Sequence, residues 1–131
     1  MKALTLEEIK DRIGEIEFEE FDKIVAIGKG GIVPSLLLAN ELNLKMQVMW
    51  LSFRDKDNKV VYEKPKLIKR FNGIKNERIL LVDDVSRSGK TLEEARKILN
   101  GNKIKTLVVN GKADYSLFNF KECVKFPWGM I

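Results

Sequence analysis

Histidine is absent from this chain of 131 residues, and cysteine occurs once, as Cys123. Without an imidazole there is no Ser-His-Asp triad, no histidine-bound zinc and no histidine general base. A single thiol makes neither an internal disulfide nor a multi-cysteine metal site, which fits a reducing, cytoplasmic location. Long apolar runs are missing too. None approaches the ~18 residues of a membrane span, and Glu7 and Glu8 follow Met1 too closely for an apolar leader. The expectation is a protein without a membrane span. Its 9 glycines and 3 prolines are scattered, with no linker-like stretch and no internal repeat, so residues 1–131 are expected to form one domain.

Charge is what the chain has in quantity. Its 24 basic and 19 acidic residues leave a net +5, which suits an anionic small molecule or, less specifically, nucleic acid. Lysine and glutamate are interspersed as on a solvated surface, and no basic stripe interleaves with exposed aromatics, so no specific nucleic-acid partner is expected.

Thr5-Leu6-Glu7-Glu8 has the T-x-x-E form of a capping box, and Leu6, Ile9, Ile13 and Ile16 continue at helical spacing. A first helix should start there. Ile24-Val25-Ala26-Ile27 is a short apolar run ending at Gly28, the pattern of a strand buried on both faces. A glycine turn and a helix from Val33 to Leu42 should follow, with Pro34 in the first turn, where no intrahelical partner is lost. Met46 to Phe53 and Lys59 to Lys64 read as two strands joined by the turn Arg54-Asp55-Lys56-Asp57-Asn58, and Phe71 to Glu77 as loop. Arg78 to Asp83 is the strongest buried strand. A helix from Thr91 to Leu99 and a strand from Ile104 to Val109 come next, and the remainder reads as aromatic and irregular. Strand, glycine turn and helix in repetition predict an α/β fold with a mainly parallel central sheet flanked by helices.

The chemistry lies in Ile79-Leu80-Leu81-Val82-Asp83-Asp84-Val85-Ser86-Arg87-Ser88-Gly89-Lys90-Thr91-Leu92. Its apolar residues deliver two adjacent carboxylates to the carboxyl end of a strand, where open α/β sheets bind ligands. A hydroxyl-rich turn with a glycine then opens a helix. Free backbone N–H groups, the positive end of the helix dipole and the side chains of Ser86, Ser88 and Thr91 gather there, as in a phosphate cradle. The carboxylates beside it suit vicinal sugar hydroxyls or the hydration shell of magnesium. Two plainer readings compete. Asp-Asp at a strand end is also turn chemistry, with Thr91-Leu92-Glu93-Glu94 a second capping box. Ser88-Gly89-Lys90-Thr91 ends as a Walker loop does, but that loop's first glycine would fall on Asp84, whose carboxylate repels phosphate.

The segment resembles the phosphoribosyl-binding signature of the type I phosphoribosyltransferases: an apolar strand, two acids, then a Ser/Thr/Gly phosphate loop. Gly28-Lys29-Gly30-Gly31 is similar to their pyrophosphate loop, and the tail Phe126-Pro127-Trp128-Gly129-Met130 with the Asp57-Asn58 hairpin resembles the bacterial xanthine-guanine enzymes in particular. The resemblance implies that fold with a small hood, and a lid from Phe53 to Phe71. It implies magnesium-dependent transfer of the phosphoribosyl group from phosphoribosyl pyrophosphate to guanine, xanthine or hypoxanthine, giving the nucleoside monophosphate and pyrophosphate. Asp83 and Asp84 would bind the ribose hydroxyls and, mostly through the substrate and water, magnesium. Val85, Ser86, Arg87, Ser88, Gly89, Lys90 and Thr91 would hold the 5′-phosphate; Lys29, Gly30, Gly31 and Lys69 the pyrophosphate; Lys112, Cys123 and Val124 the base. Relatives are commonly dimers or tetramers, which implies a homo-oligomer.

Two positions depart from that pattern. Arg87, counted with Asp83 and Asp84 as a catalytic candidate, stands where 6-oxopurine relatives carry an aspartate near purine N7, and a permanent cation cannot act as that base. Cys123 stands where relatives stack an aromatic on the purine, and a thiol offers far less surface. The alternative function is therefore a non-catalytic or regulatory protein that binds phosphoribosyl pyrophosphate or a nucleotide.

Overall fold

The computed structural model describes residues 1–52 and 66–129. Among these the chain order is β1 (Lys2–Ala3), α1 (Leu6–Gly14), β2 (Lys23–Gly28), α2 (Ile32–Leu42), β3 (Met46–Ser52), β4 (Lys66–Leu67), β5 (Arg78–Ser86), α3 (Lys90–Ile98), β6 (Lys103–Gly111), β7 (Tyr115–Phe118) and β8 (Val124–Lys125). The main sheet runs β4-β3-β2-β5-β6-β7. All its pairings are parallel except β3 with β4. The expected lid strand Lys59 to Lys64, its turn at 54–58 and Met130 lie outside the described residues.

The two central strands are apolar on both faces because both faces are covered. Ile24, Leu80, Val82, Leu107 and Val109 point to one side, where they meet Ile9 and Ile13 of α1 and Leu38 of α2. Val25, Ile27, Ile79, Leu81 and Val108 point to the other, against Leu92, Ala95 and Leu99 of the α3 segment. Alternation along each strand thus divides one sheet between two cores. Leu80 is fully buried, and truncating such a side chain to alanine costs about 2–5 kcal/mol.

The first helix starts as its sequence predicts. Thr5 Oγ1 accepts from the Glu8 N–H at 3.1 Å, and Glu8 Oε1 accepts from the Thr5 N–H at 3.1 Å. The second T-x-x-E does not form a capping box: α3 begins one residue before Thr91, with Gly89 as its N-cap at φ 78°. Glycine reaches that left-handed conformation without a Cβ penalty.

Two expectations change. The strand beginning at Arg78 continues past Asp83 to Ser86, because Val85 and Ser86 keep pairing with Asn110 and Gly111 of β6. The tail is not irregular. β7 pairs in parallel with β6, and β8 pairs in parallel with β1, so the amino-terminal residues and the tail form a small two-stranded sheet of their own. The link 112–114 returns along the sheet and is held by Asp114. Its carboxylate accepts from the Thr106 N–H at 2.8 Å, from Thr106 Oγ1 at 3.0 Å and from Arg96 at 3.1 Å.

Candidate active site

β5 carries Asp83 and Asp84 to the carboxyl end of the sheet. Asp83 is 8% exposed. Its Oδ1 accepts from the Asp84 N–H at 2.8 Å, and Asp84 Oδ1 accepts from the Val85 N–H at 2.7 Å. Burial pushes the Asp83 carboxyl well above the ordinary carboxylate range, and the neighbouring Asp84 charge pushes it further. The pair holds negative character that no protein cation neutralises by a salt bridge among the described residues.

Two backbone loops flank the pair. On one side the turn after β2 brings Gly30 against Asp84 so closely that a Cβ at Gly30 would overlap the carboxylate, and a Cβ at Gly31 would overlap the Val82 carbonyl. The Gly28–Lys29 peptide bond is cis. The Gly31 N–H donates to Ile27 O at 2.8 Å, which closes the turn into α2. On the other side, residues from Ser86 to Thr91, with Asp83, line a cavity of about 230 Å³ at the amino end of α3. Glycine as N-cap contributes no side-chain acceptor; the Lys90 N–H donates to Ser88 Oγ at 3.4 Å, and the positive end of the helix still faces this cavity.

A larger cavity of about 760 Å³ adjoins Asp84. Lys29 and Gly30 line it on the sheet side; Val124, Lys125, Phe126 and Trp128 line it on the tail side. The Phe126 and Trp128 rings stack with centroids 4.8 Å apart and planes inclined by 5°. Pairing with β1 fixes this wall, through the Lys2 N–H to Cys123 O at 2.9 Å and the Leu4 N–H to Lys125 O at 3.0 Å.

The family model for the phosphoribosyl transferase domain matches residues 4–126. The chain belongs to that family. Among solved structures it is similar to a purine phosphoribosyltransferase from Pyrococcus horikoshii, with a TM-score of 0.82 and 24% identity over 99% of this chain and 94% of that one. A Neisseria gonorrhoeae protein with bound ppGpp matches with a TM-score of 0.76 and 21% identity over 97% of this chain and 89% of the other. The Helicobacter pylori xanthine-guanine-hypoxanthine phosphoribosyltransferase matches with a TM-score of 0.72 and 21% identity, over 97% and 90%. These likenesses are of fold.

In this phosphoribosyl transferase domain the residues singled out from sequence fall into two groups. Asp83, Asp84, Lys29, Gly30, Gly31 and the run Val85 to Thr91 meet around the end of β5, and Val124 joins them across the larger cavity. Lys112, Lys69 and Cys123 line neither cavity. Lys112 is exposed, just past β6. Lys69 sets its Nζ 4.5 Å from the centre of the Trp50 ring. Cys123 is exposed, and its Sγ lies 3.8 Å from an Arg87 guanidinium nitrogen. Arg87 therefore reaches from the turn before α3 to the tail. Trp128 and Lys125 were not among the residues chosen from sequence, and the close Phe-Pro-Trp spacing was the signal that two aromatics share one wall.

Proposed function

We propose that the chain is a phosphoribosyltransferase that joins a 6-oxopurine to the ribose of phosphoribosyl pyrophosphate with magnesium. The observation that carries this reading is the Asp83–Asp84 pair, set between a glycine loop and an uncapped helix start, with a stacked aromatic wall across the cavity. Carboxylates accept from ribose hydroxyls. The Ser86 to Thr91 segment receives the 5′-phosphate through N–H groups and hydroxyls, Lys29 with Gly30 and Gly31 receives the pyrophosphate, and the flat base lies on Phe126 and Trp128.

A ring nitrogen of the base attacks the anomeric carbon, the bond to pyrophosphate breaks, and the oxygen departs with the electron pair. The nitrogen's proton leaves to solvent. No covalent nucleophile on the protein is needed, so the lack of histidine is no obstacle. The protein supplies alignment and exclusion of water, and Lys29 offsets charge on the departing group. Among the described residues no group of three acidic, histidine or cysteine side chains forms a metal cage. Asp83 and Asp84 fit magnesium that arrives on substrate oxygens and keeps its water, rather than a resident ion. Asp83 and Asp84 would hold such a magnesium through its water shell, and it would supply charge neutralisation for the leaving group.

The test is pyrophosphate release by the purified protein with magnesium, phosphoribosyl pyrophosphate and, in turn, guanine, xanthine, hypoxanthine, adenine, uracil and orotate. Turnover with a 6-oxopurine above the other bases is expected; silence with every base overturns the reading. One observation favours a second function, nucleotide binding without turnover. Arg87 lines the smaller cavity and reaches the tail beside Cys123, a fixed cation at the position for which the resemblance implies a proton acceptor for the base. The fold similarity to a protein with bound ppGpp is compatible with that alternative. Thermal stabilisation by nucleotides without turnover would establish it, and pyrophosphate release regained by Arg87→Asp would locate the block at this residue.

A further inference from the structure

Trp50 stands opposite Gly28 in the parallel register of β2 and β3. Its ring lies against the glycine so closely that a Cβ added to Gly28 would sit 2.7 Å from the ring edge atom Cε3. Gly28 leads directly into Lys29 and the glycine turn. The same ring carries Lys69, whose Nζ is 4.5 Å from its centre. The backbone fixes this arrangement from the other strand too, because the Ile68 N–H donates to Trp50 O at 2.9 Å. One indole thus bridges the backbone of the turn that carries Lys29 and an exposed lysine on a neighbouring strand end.

We infer that Trp50 is a positioning residue: it holds the Lys69 ammonium beside the Lys29 turn, where both cations meet the pyrophosphate of the substrate. This rests on the proposed function, since the pyrophosphate at Lys29 belongs to that reading. A free lysine side chain samples many rotamers, and an ammonium already resting on an aromatic face loses less freedom when an anion arrives. An indole offers the strongest such face among the aromatic side chains, and phenylalanine keeps part of it.

The experiment is a double-mutant cycle on affinity for magnesium pyrophosphate, measured by calorimetry, together with KM for phosphoribosyl pyrophosphate and kcat. Trp50→Leu is expected to weaken pyrophosphate binding and raise KM roughly three- to tenfold with kcat little changed. Trp50→Phe should recover most of that loss. Lys69→Ala should weaken binding on its own, and Trp50→Leu added to Lys69→Ala should cost nothing further. Equal losses from Trp50→Leu with and without Lys69, or no loss at all, overturn the inference. A wild-type protein that binds pyrophosphate but gives such an additive cycle removes Trp50 alone; one that neither binds pyrophosphate nor turns over substrate removes the proposed function as well.

Discussion

Aspartates at the two ends of the central sheet live in opposite conditions. At the amino end, Asp22 faces Arg78, which donates to its two carboxylate oxygens at 2.8 and 3.1 Å and to Glu20 at 3.0 Å. Those hydrogen bonds from Arg78 pull the Asp22 carboxyl down from 3.8 to about 2. At the carboxyl end, Asp83 is buried beside another acid, with its carboxyl pushed up. The first acid has a cationic partner; the second accepts from a backbone N–H but has no salt bridge among the described residues. The proposed function asks for carboxylates that no protein cation has neutralised, and the cost falls on stability.

The strongest way to break this comparison is to remove the pair that lacks a cationic partner. Asp84→Ala is expected to lower kcat/KM for phosphoribosyl pyrophosphate by about 10²-fold or more, because acceptors for charged hydrogen bonds are lost from the reacting sugar. Asp83→Asn should also remove most turnover, yet raise Tm at neutral pH. The sign follows from linkage. A carboxyl whose folded pKa is raised contributes stability below its unfolded pKa and loses it as pH rises through the folded value, so the ionised Asp83 is a burden that asparagine lifts. The gain in Tm should shrink as pH falls toward 4. A neutral-pH Tm below wild type would contradict the picture of a strained acid.

Gly30→Ala sharpens the comparison without replacing an ionisable group. Its Cβ overlaps the Asp84 carboxylate, so the carboxylate or the turn must shift. Activity should fall by roughly tenfold or more while Tm changes little, since a 1 Å displacement at a reacting centre is expensive and the residue lies at the surface of the core. Unchanged activity would mean that Asp84 tolerates displacement and is not positioned by this turn.

How much of this was legible differs between the same two regions and the tail. β5 announces itself, because four apolar residues followed by two acids have one natural place in a parallel sheet, and its helix follows from Gly89. The capping box at Thr5 was equally local. β7 was hidden, since nothing in Tyr115 to Phe118 specifies a parallel partner; the Asp114 bonds to Thr106 and Arg96 create that register at long range. β1 is too short to read as a strand without β8. In the tail, counting along the resemblance selects Cys123 and Val124; Val124 lines the larger cavity with Phe126 and Trp128, while the Cys123 carbonyl accepts from the Lys2 N–H and its thiol lies against Arg87, contacts that sequence spacing does not show. Trp50 was invisible for the same reason, being defined by its register with Gly28.

The smallest expected effect tests the satisfied end. Asp22 has a depressed pKa, so its contribution to stability is present above the unfolded 3.8 and is lost as pH falls through about 2. Arg78→Ala should leave kcat/KM unchanged, lower Tm slightly at neutral pH because the pair is exposed, and move the acid unfolding transition to higher pH. The contrast with Asp83→Asn is in direction: one variant loses stability above pH 4 and keeps activity, the other gains stability there and loses activity. Parallel shifts in Tm for the two variants across pH 2 to 7 would show that the ends of the sheet are not opposed, and that burial rather than pairing sets the behaviour of both acids.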